Sequence, residues 1–341
     1  MTSVTRGGLL RSRTFQAIAS LVLAAALLAY FLSRVPLSEI GHQIGAASPR
    51  WLAAAVLLSL GTFVMRALRW IWILRPVGRV GLVPSFRATA VGFAANTVLP
   101  ARAGEVLRPA ILSREAGLPF SALLASILFE RILDALAQLF FLSIALIGAP
   151  PGGGAGALAS GRVRWVAGAV AAAAVGVALF AVVWRKTTER IVDALLRVLP
   201  ERLRPRARGI AHTFLDGFAS LKTPRLLFLV GAGSIGMWLV INVQIWCVMR
   251  AFGVGLPLSA AFVVTTAAVL GLAVPTPGGV GGYHAAVQFA LTDVFRVPLA
   301  TATGVALVAH AVSFVPISLI GFAWLAAKPV RKGEAGPERE A

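Results

Sequence analysis

Three charged side chains in the middle of an apolar stretch are the residues best suited to do chemistry in this chain. Glu130, Arg131 and Asp134 stand about 11 residues after Pro119, where the stretch begins, which is roughly 16 Å along a helix. Helical spacing lets Arg131 reach Asp134 at i+3 and puts Glu130 on the face of Asp134 at i+4. A charge in the hydrocarbon layer costs about 2.5 to 3.5 kcal/mol. We therefore expect either a polar cavity beside these residues or a purely structural pairing with arginines of an earlier segment.

A second charged group lies in the segment NTVLPARAGEVLRP, residues 96–109. Arg102, Glu105 and Arg108 are spaced at i, i+3 and i+6, which predicts one face of a helix that opens after Pro100. A cluster of net positive charge beside a helix N-terminus suits a phosphate. In this hypothesis Arg102 and Arg108 donate forked hydrogen bonds while Glu105 orients one of them. The alternative is a set of topology anchors at the cytoplasmic surface.

A third group is the glycine-rich segment VPTPGGVGGYH, residues 274–284, together with a histidine further along the chain. Such glycines either let backbone N–H groups approach an anion or let helices pack tightly. His310 stands at a depth equivalent to that of Glu130. It is interpreted either as a proton carrier or as a hydrogen-bonding partner of a neighbouring helix. The glycines concerned are Gly278, Gly279, Gly281 and Gly282.

Composition predicts that membrane helices position these residues. The 341 residues are 58% hydrophobic and only 13% charged, and their mean hydropathy is +0.84. Several apolar stretches reach the roughly 20 residues that cross a hydrocarbon layer about 30 Å thick. We therefore expect an all-α, polytopic helical membrane protein that forms a single transmembrane domain over residues 1–341. It would have about six full spans and two re-entrant or broken-helix hairpins, with about eight full spans as the alternative.

The expected spans and hairpins follow from the lengths of the apolar stretches. A cleaved signal peptide is the alternative interpretation of the first stretch, but the stretch is long for such a peptide and is expected to be a helix. The two hairpins are apolar stretches interrupted by proline, glycine and polar residues. Spans are predicted at 15–32, 51–74, 119–147, 163–184, 226–249 and 299–327, and hairpins at 84–112 and 258–295.

The net charge of +19 predicts membrane orientation rather than nucleic-acid binding. Arginines cluster at the ends of apolar segments, which places the N- and C-termini in the cytoplasm. The basic segment 185–225 is expected to be either an amphipathic helix on the cytoplasmic face or a solvated loop. The single Cys247 excludes an intrachain disulfide. The four histidines lack metal-ligand spacing, so no metal or other cofactor is expected.

Two stretches of the chain match in order and predict an internal repeat over about residues 50–148 and 225–327. IWILRPVGRVGLVP at 71–84 matches IWCVMRAFGVGLPLS at 245–259, and each is followed by a break with P-x-x-x-G spacing. The positive-inside rule makes the first repeat enter from outside and the second from inside. Inverted repeats with broken helices are typical of secondary transporters, whose substrate site lies between the breaks.

Four motifs in order resemble the lysylphosphatidylglycerol synthase/flippase transmembrane family, over about residues 15–327. They are RALRWIWILRPVG at 66–78, NTVLPARAGEVLRPAIL at 96–112, ERILD at 130–134 and PTPGGVGGYHAAV at 275–287. The resemblance implies a bacterial inner-membrane protein that moves or handles anionic or aminoacylated phospholipid. The positions that match the family pattern are Asn96, Pro100, Arg102, Gly104, Glu105, Arg108, Glu130, Arg131, Asp134, Pro277, Gly278, Gly279 and Gly281.

One position departs from the family pattern: His284 stands where the pattern usually has Glu, which puts a carboxylate role there in doubt. No stretch of the 341 residues is expected to form a soluble aminoacyltransferase domain. We therefore do not expect this chain to lysylate lipid itself.

The expected function is translocation of an anionic or aminoacylated phospholipid, whose phosphate is held by arginines in a polar cavity near the middle of the membrane. The alternatives are a secondary transporter of a small anionic solute and a non-catalytic membrane subunit of lipid or glycan assembly. No nucleophile and base pair supports an enzyme. Expected partners are the phospholipid and the membrane, with a homo-oligomer or a lipid-synthesis partner left open. Candidate substrate-binding residues are Asn96, Arg102, Glu105, Arg108, Glu130, Arg131, Asp134, Gly278, Gly279, Gly281, His284 and His310.

Overall fold

The computed structural model describes residues 5–99, 102–147 and 223–327, together with isolated positions between 169 and 205. Within these residues the secondary structure is helical and contains no strand, which confirms the predicted all-α fold class. The predicted span 163–184 and nearly all of the basic segment 185–225 lie outside the described residues.

The helices follow the apolar stretches of the sequence closely. A 3-10 turn at Pro277–Gly279 and a π-helical turn at Ala290–Val294 interrupt the second half. The α-helices are α1 (Thr5–Leu32), α2 (Leu37–Gly45), α3 (Pro49–Leu74), α4 (Leu82–Val98), α5 (Gly104–Ala116), α6 (Phe120–Ile147), α7 (Pro224–Ala251), α8 (Leu258–Gly271), α9 (Gly282–Phe289) and α10 (Leu299–Ala327).

Three of the described helices, α3, α7 and α10, are long and apolar enough to cross a membrane. The end of α1 and all of α2 together pass the same test as one span bent by 80°. Helix α6 has 28 residues, but Glu130, Arg131 and Asp134 interrupt its apolar character. The protein is therefore a polytopic helical membrane protein, and the total of six spans stays a prediction.

Helix α2 was not expected from the sequence, which showed only a stop between two predicted spans. It begins after Pro36 and buries Ile40 against Val35 and Ala300. Leu37, Ile40 and Ile44 recur at helical spacing on this helix, but its nine residues are fewer than the roughly 11 to 18 over which such a period predicts a helix.

At each of the two predicted interruptions a pair of helices packs together, α4 with α5 and α8 with α9; that these hairpins are re-entrant in the membrane stays a prediction. Each hairpin closes through glycines whose backbones touch. A Cβ added to Gly104 would overlap the carbonyl of Gly92, and one added to Gly282 would overlap the carbonyl of Gly271. Only glycine permits this approach, which removes the side-chain layer that normally separates two helices.

Helices α3–α6 and α7–α10 pack in matching ways. Helix α3 packs on its counterpart α7. The contact between α4 and α10 corresponds to the contact between α8 and α6. The hairpin pairs α4–α5 and α8–α9 correspond, as do the contacts α5–α6 and α9–α10. Exchanging one set of four helices for the other leaves the pattern of contacts unchanged. The opposite membrane orientation of the two sets stays a prediction.

The long helices carry apolar side chains on their outer faces. Leu57 on α3, Phe228 on α7 and Leu319 on α10 are all largely exposed. Inside the bundle, Trp51 and Trp246 pack edge to face with ring centres 5.4 Å apart. Exposed apolar faces on helices of this length fit a protein surrounded by lipid.

Candidate functional site

A cavity of about 370 Å³ lies between the two hairpins and the long helices, and residues of both halves line it. Its apolar wall comes from residues such as Phe63, Phe93 and Ile245, and its polar wall from α3, α5 and α6. The charged residues that line the cavity are Arg66, Arg102, Glu105, Arg108, Arg131 and Asp134.

Arg108 and Glu130 form a fully buried ion pair at the edge of this cavity. The two guanidinium Nη atoms of Arg108 donate to the carboxylate oxygens of Glu130 at 2.6 and 3.4 Å. The guanidinium also lies 3.8 Å from the ring centre of Trp70, whose Nε1 donates to Ser126 at 2.8 Å. The pairing with a hairpin arginine that the sequence left open is therefore present, and it fixes α5 against α6.

Asp134 is the centre of a larger ion-pair network. Its carboxylate accepts from Arg69 at 2.7 Å and from the indole Nε1 of Trp238 at 3.0 Å. Arg131 lies 3.1 Å away at the predicted i+3 position, and Arg66 lies 3.4 Å away. Four donors from α3, α6 and α7 therefore meet at one buried carboxylate, which offsets the unfavourable transfer of each charge out of water.

Two arginines of this network, Arg66 and Arg69, stand near the end of the predicted span 51–74, where the sequence analysis assigned arginines to membrane orientation. That interpretation is wrong for Arg66 and Arg69, whose side chains turn inward and are 6% and 0% exposed. Arg69 also donates to Ser234 at 3.1 Å. The sequence did contain one indication that Arg66 and Arg69 act together, because a spacing of three residues puts both on one face of a helix. The carboxylates that they meet are more than 60 positions away in the chain.

Arg102 does not share a helical face with Glu105 and Arg108, contrary to the prediction. Helix α5 begins at Gly104, and Arg102 precedes it with a left-handed backbone, φ 54°. Its guanidinium donates to the carbonyl of Leu272 in the second hairpin and lies 3.9 Å from Glu105. Arg102 therefore connects the two hairpins across the cavity instead of extending one row of arginines.

The start of α5 is held by a side chain of α4. Asn96 accepts the backbone N–H of Gly104 through Oδ1 at 2.8 Å. Glu105, which follows, lies 3.8 Å from Arg131. Asn96 is thus a positioning residue for the hairpin, and Glu105 is a loosely held carboxylate between two arginines.

The glycines of the second break have left-handed backbones that serve packing. Gly278, Gly279 and Gly281 all have positive φ. The N–H of Gly279 donates to the carbonyl of Thr276 at 3.0 Å, and the N–H of Gly281 donates to His284 at 3.2 Å. These two donors are engaged within the break. These two N–H groups are therefore not available to an anion in this structure, and an added Cβ would overlap Leu272 at Gly279 and Leu27 at Gly281, as expected for tight packing. Gly278 and Gly279 also line the cavity, so a role of the glycines in substrate binding stays a prediction.

Comparison with known proteins then decides the family. Residues 17–321 match the family described as lysylphosphatidylglycerol synthase TM region. The protein belongs to this family. The match covers both hairpins and every candidate residue of the cavity, and it confirms the resemblance predicted from the four motifs.

Two curated relatives add to this assignment. Glycosyltransferase AglD of Haloferax volcanii is 27% identical over 332 residues, which cover 88% of this chain and 52% of that protein. A UPF0104 membrane protein of Methanothermobacter thermautotrophicus is 26% identical over 286 residues, which cover 79% of this chain and 81% of that protein. The chain therefore spans about half the length of the first relative and most of the second.

In this member of the lysylphosphatidylglycerol synthase TM region family, the side chain of His284 accepts a backbone N–H at the start of α9, as a helix-capping carboxylate would. It is the third residue of α9, and its Nδ1 accepts the N–H of Gly281. Glu is the usual acceptor at that position of a helix. The departure from the family pattern therefore keeps the acceptor and replaces a charge with a neutral ring.

The second histidine lies directly beside the first. The ring centres of His284 and His310 are 4.6 Å apart, and Nε2 of His310 lies 2.8 Å from the carbonyl of Gly278. Because a carbonyl only accepts, His310 carries its proton on Nε2 in the neutral form. His310 therefore ties α10 to the second break, as the interpretation based on a neighbouring hydrogen bond predicted.

Proposed function

We propose that this protein translocates a phospholipid across the membrane, with the headgroup phosphate in the arginine-lined cavity and the acyl chains in the bilayer. The observation that carries the proposal is the cavity itself, because arginines of α3, α5 and α6 face a space enclosed by both hairpins. We further propose a location in the bacterial inner membrane, which the family resemblance implies, with both termini in the cytoplasm, which the arginine distribution favours.

The size of the cavity supports a headgroup as the occupant. A volume of about 370 Å³ lies at the lower end of ligand sites, which span roughly 300 to 1,000 Å³. Two acyl chains do not fit in addition to a headgroup. The exposed apolar faces of α3, α7 and α10 offer the chains a path outside the bundle.

The matching packing of α3–α6 and α7–α10 supports a mechanism of alternating access. If the two sets have opposite orientations, the hairpins reach the cavity from opposite sides of the membrane. Rocking of one set against the other then opens the cavity to each side in turn. The hydrogen bond from Arg102 to Leu272 crosses between the hairpins and must break in such a motion.

The ion-pair network supports transport rather than catalysis. The buried carboxylates Glu130 and Asp134 are held by arginines, so neither is placed to act as a base. Cys247 is buried in a cluster formed with α8, α9 and α10. We propose that the protein is not itself an enzyme.

The test is a translocation assay in proteoliposomes that contain acyl-labelled fluorescent phospholipids. A reductant that cannot cross the membrane should reach the labelled lipid faster than in protein-free liposomes. The variant Arg131→Gln should slow this step by about tenfold or more, because it removes a charged donor from the cavity wall, while Asp134 keeps its hydrogen bonds from Arg69 and Trp238. The matched control is Arg250→Gln, at an exposed arginine of α7 that lies outside the cavity. No acceleration with any phospholipid would overturn the proposal.

A second candidate function is a non-catalytic subunit of glycan assembly. The relative that favours it is the protein named glycosyltransferase AglD, of which this chain matches about half. This candidate predicts a stable partner that co-purifies with the full chain and no lipid translocation by the chain alone. The proteoliposome assay therefore separates the two.

A further inference from the structure

Two of the three carboxylates around the cavity, Glu130 and Asp134, have little acceptor capacity left for an ammonium group. The third, Glu105, lies between Arg131 and Arg102, at 3.8 and 3.9 Å. Glu130 is 0% exposed and receives two hydrogen bonds from Arg108. Asp134 accepts from Arg69 and Trp238 and lies close to Arg66 and Arg131. An amine at Glu130 or Asp134 would have to displace an arginine from a buried pair, which is strongly unfavourable. An amine at Glu105 would meet the repulsion of the two neighbouring arginines.

Arginines, in contrast, are in excess at the cavity wall. Of the described residues, four arginines and two carboxylates line the cavity. Arg69 and Glu130 lie just behind that wall, 3.9 Å apart, and contribute one charge of each sign. The cavity therefore has an excess of two positive charges, whether or not Arg69 and Glu130 are included in the count.

These arginines also have unused donors. The buried Nε atoms of Arg66, Arg108 and Arg131 have no hydrogen-bond partner among the described residues. Within the described part of the chain, Arg66 makes one long bond to Asp134, 3.4 Å, and otherwise contacts only the ring of Phe93. These Nε atoms are not accessible from the cavity in this conformation. The excess of guanidinium groups at the wall is therefore what favours a compact group with several acceptor oxygens, which arginine binds in forked pairs.

From this charge balance we infer that the cavity takes a lipid whose headgroup carries two negative charges and no ammonium group, namely a phosphomonoester or a diphosphate. A phosphomonoester carries about −1.5 to −2 charges near neutral pH, which matches the excess at the wall. A phosphodiester headgroup carries one charge, and an aminoacylated headgroup adds positive charge that the cavity repels. The inference rests on the proposed function and excludes the aminoacylated lipids that the family resemblance had left open.

The test compares lipids with identical acyl chains for their ability to stabilise the purified full chain against thermal unfolding in a neutral detergent. The probes are phosphatidic acid as the phosphomonoester, phosphatidylglycerol as the phosphodiester, and lysylphosphatidylglycerol as the aminoacylated lipid. Glycerol 3-phosphate is the soluble phosphomonoester. We expect half-maximal stabilisation by phosphatidic acid at a concentration at least about tenfold below that of phosphatidylglycerol, and no saturable effect of lysylphosphatidylglycerol.

Variants show whether the cavity causes the preference. Arg66→Gln removes one of the two excess charges and should reduce the preference for phosphatidic acid several-fold, while Arg250→Gln leaves it unchanged. If Arg66→Gln does not fold, Arg131→Gln serves the same purpose at a partly exposed position. Equal half-maximal concentrations for phosphatidic acid and phosphatidylglycerol, or tighter binding of lysylphosphatidylglycerol, would overturn the inference. An equal effect of glycerol 3-phosphate would overturn the assignment to a lipid.

The inference and the proposed function fail in different ways. Translocation of lysylphosphatidylglycerol in proteoliposomes, faster than that of phosphatidic acid, would overturn the inference and leave the proposed function standing. Selective stabilisation by phosphatidic acid without translocation of any lipid would support the inference and overturn the proposed function.

Discussion

Arg108 and Glu130 meet through both oxygens of the carboxylate, and the pair joins α5 to α6 with no solvent access to Glu130. Two consequences follow from such burial. Removing either partner leaves the other as an unpaired buried charge, which destabilises the protein. The pair also fixes the orientation of the hairpin α4–α5 against α6.

The first prediction concerns the stability of this pair. Glu130→Gln should lower the free energy of unfolding by about 3 to 5 kcal/mol, because it leaves the guanidinium of Arg108 buried and uncompensated. The double variant with Arg108→Gln should lose less than the sum of the single losses. Equilibrium unfolding in mixed micelles measures both. The control is Glu115→Gln, which breaks the partly exposed pair with Arg87 and should change stability by at most about 1 kcal/mol. Additive losses would contradict the coupling.

The second prediction concerns the backbone contacts inside the hairpins. Gly104→Ala and Gly282→Ala should each destabilise the protein, because the added methyl groups overlap the carbonyls of Gly92 and Gly271. Overpacking of this kind costs typically about 1 to 3 kcal/mol. Gly231→Ala on α7 is the matched control, since nothing lies within 4 Å of its added Cβ, and alanine favours a helix. Thermal unfolding midpoints of the purified variants decide the matter, and an unchanged midpoint for Gly104→Ala contradicts the close approach.

The third prediction concerns the cap on α9. His284→Gln should stay within about 1 kcal/mol of the wild type, because the amide oxygen replaces Nδ1 as the acceptor for Gly281. His284→Leu should lose about 1 to 3 kcal/mol, because the buried N–H is then unpaired. Thermal unfolding of both variants is the measurement, with His42→Gln on the exposed face of α2 as the control. If the leucine variant were as stable as the glutamine variant, the cap would have no role.

The fourth prediction concerns the orientation of the two halves. A cysteine placed at Ala155 should react with a membrane-impermeant maleimide from outside intact cells, and one placed at Pro200 only after the membrane is opened. The native Cys247 is buried and should give no background in the folded protein. Labelling of both positions from the same side would rule out the inverted repeat.

Local spacing predicted part of this site and contacts between distant segments account for the rest. The pairing of Arg131 with Asp134 follows from a separation of three residues on one helix. Arg69 reaches Asp134 over 65 positions and His284 reaches His310 through the packing of α9 on α10. A single sequence gives the position of an arginine along its helix, but it does not show which distant segment that face of the helix packs against. For the same reason the interrupted hairpins were predicted, while the connection from Arg102 to the second hairpin was not.

The hydrogen bond from Arg102 to residue 272 ends on a main-chain oxygen, and every amino acid supplies that oxygen. Substitution at position 272 therefore leaves the acceptor in place, whereas substitution at position 102 removes the donor. As the two hairpins diverge in sequence over evolution, a substitution of Arg102 in the first hairpin removes this hydrogen bond, whereas a substitution at position 272 in the second does not.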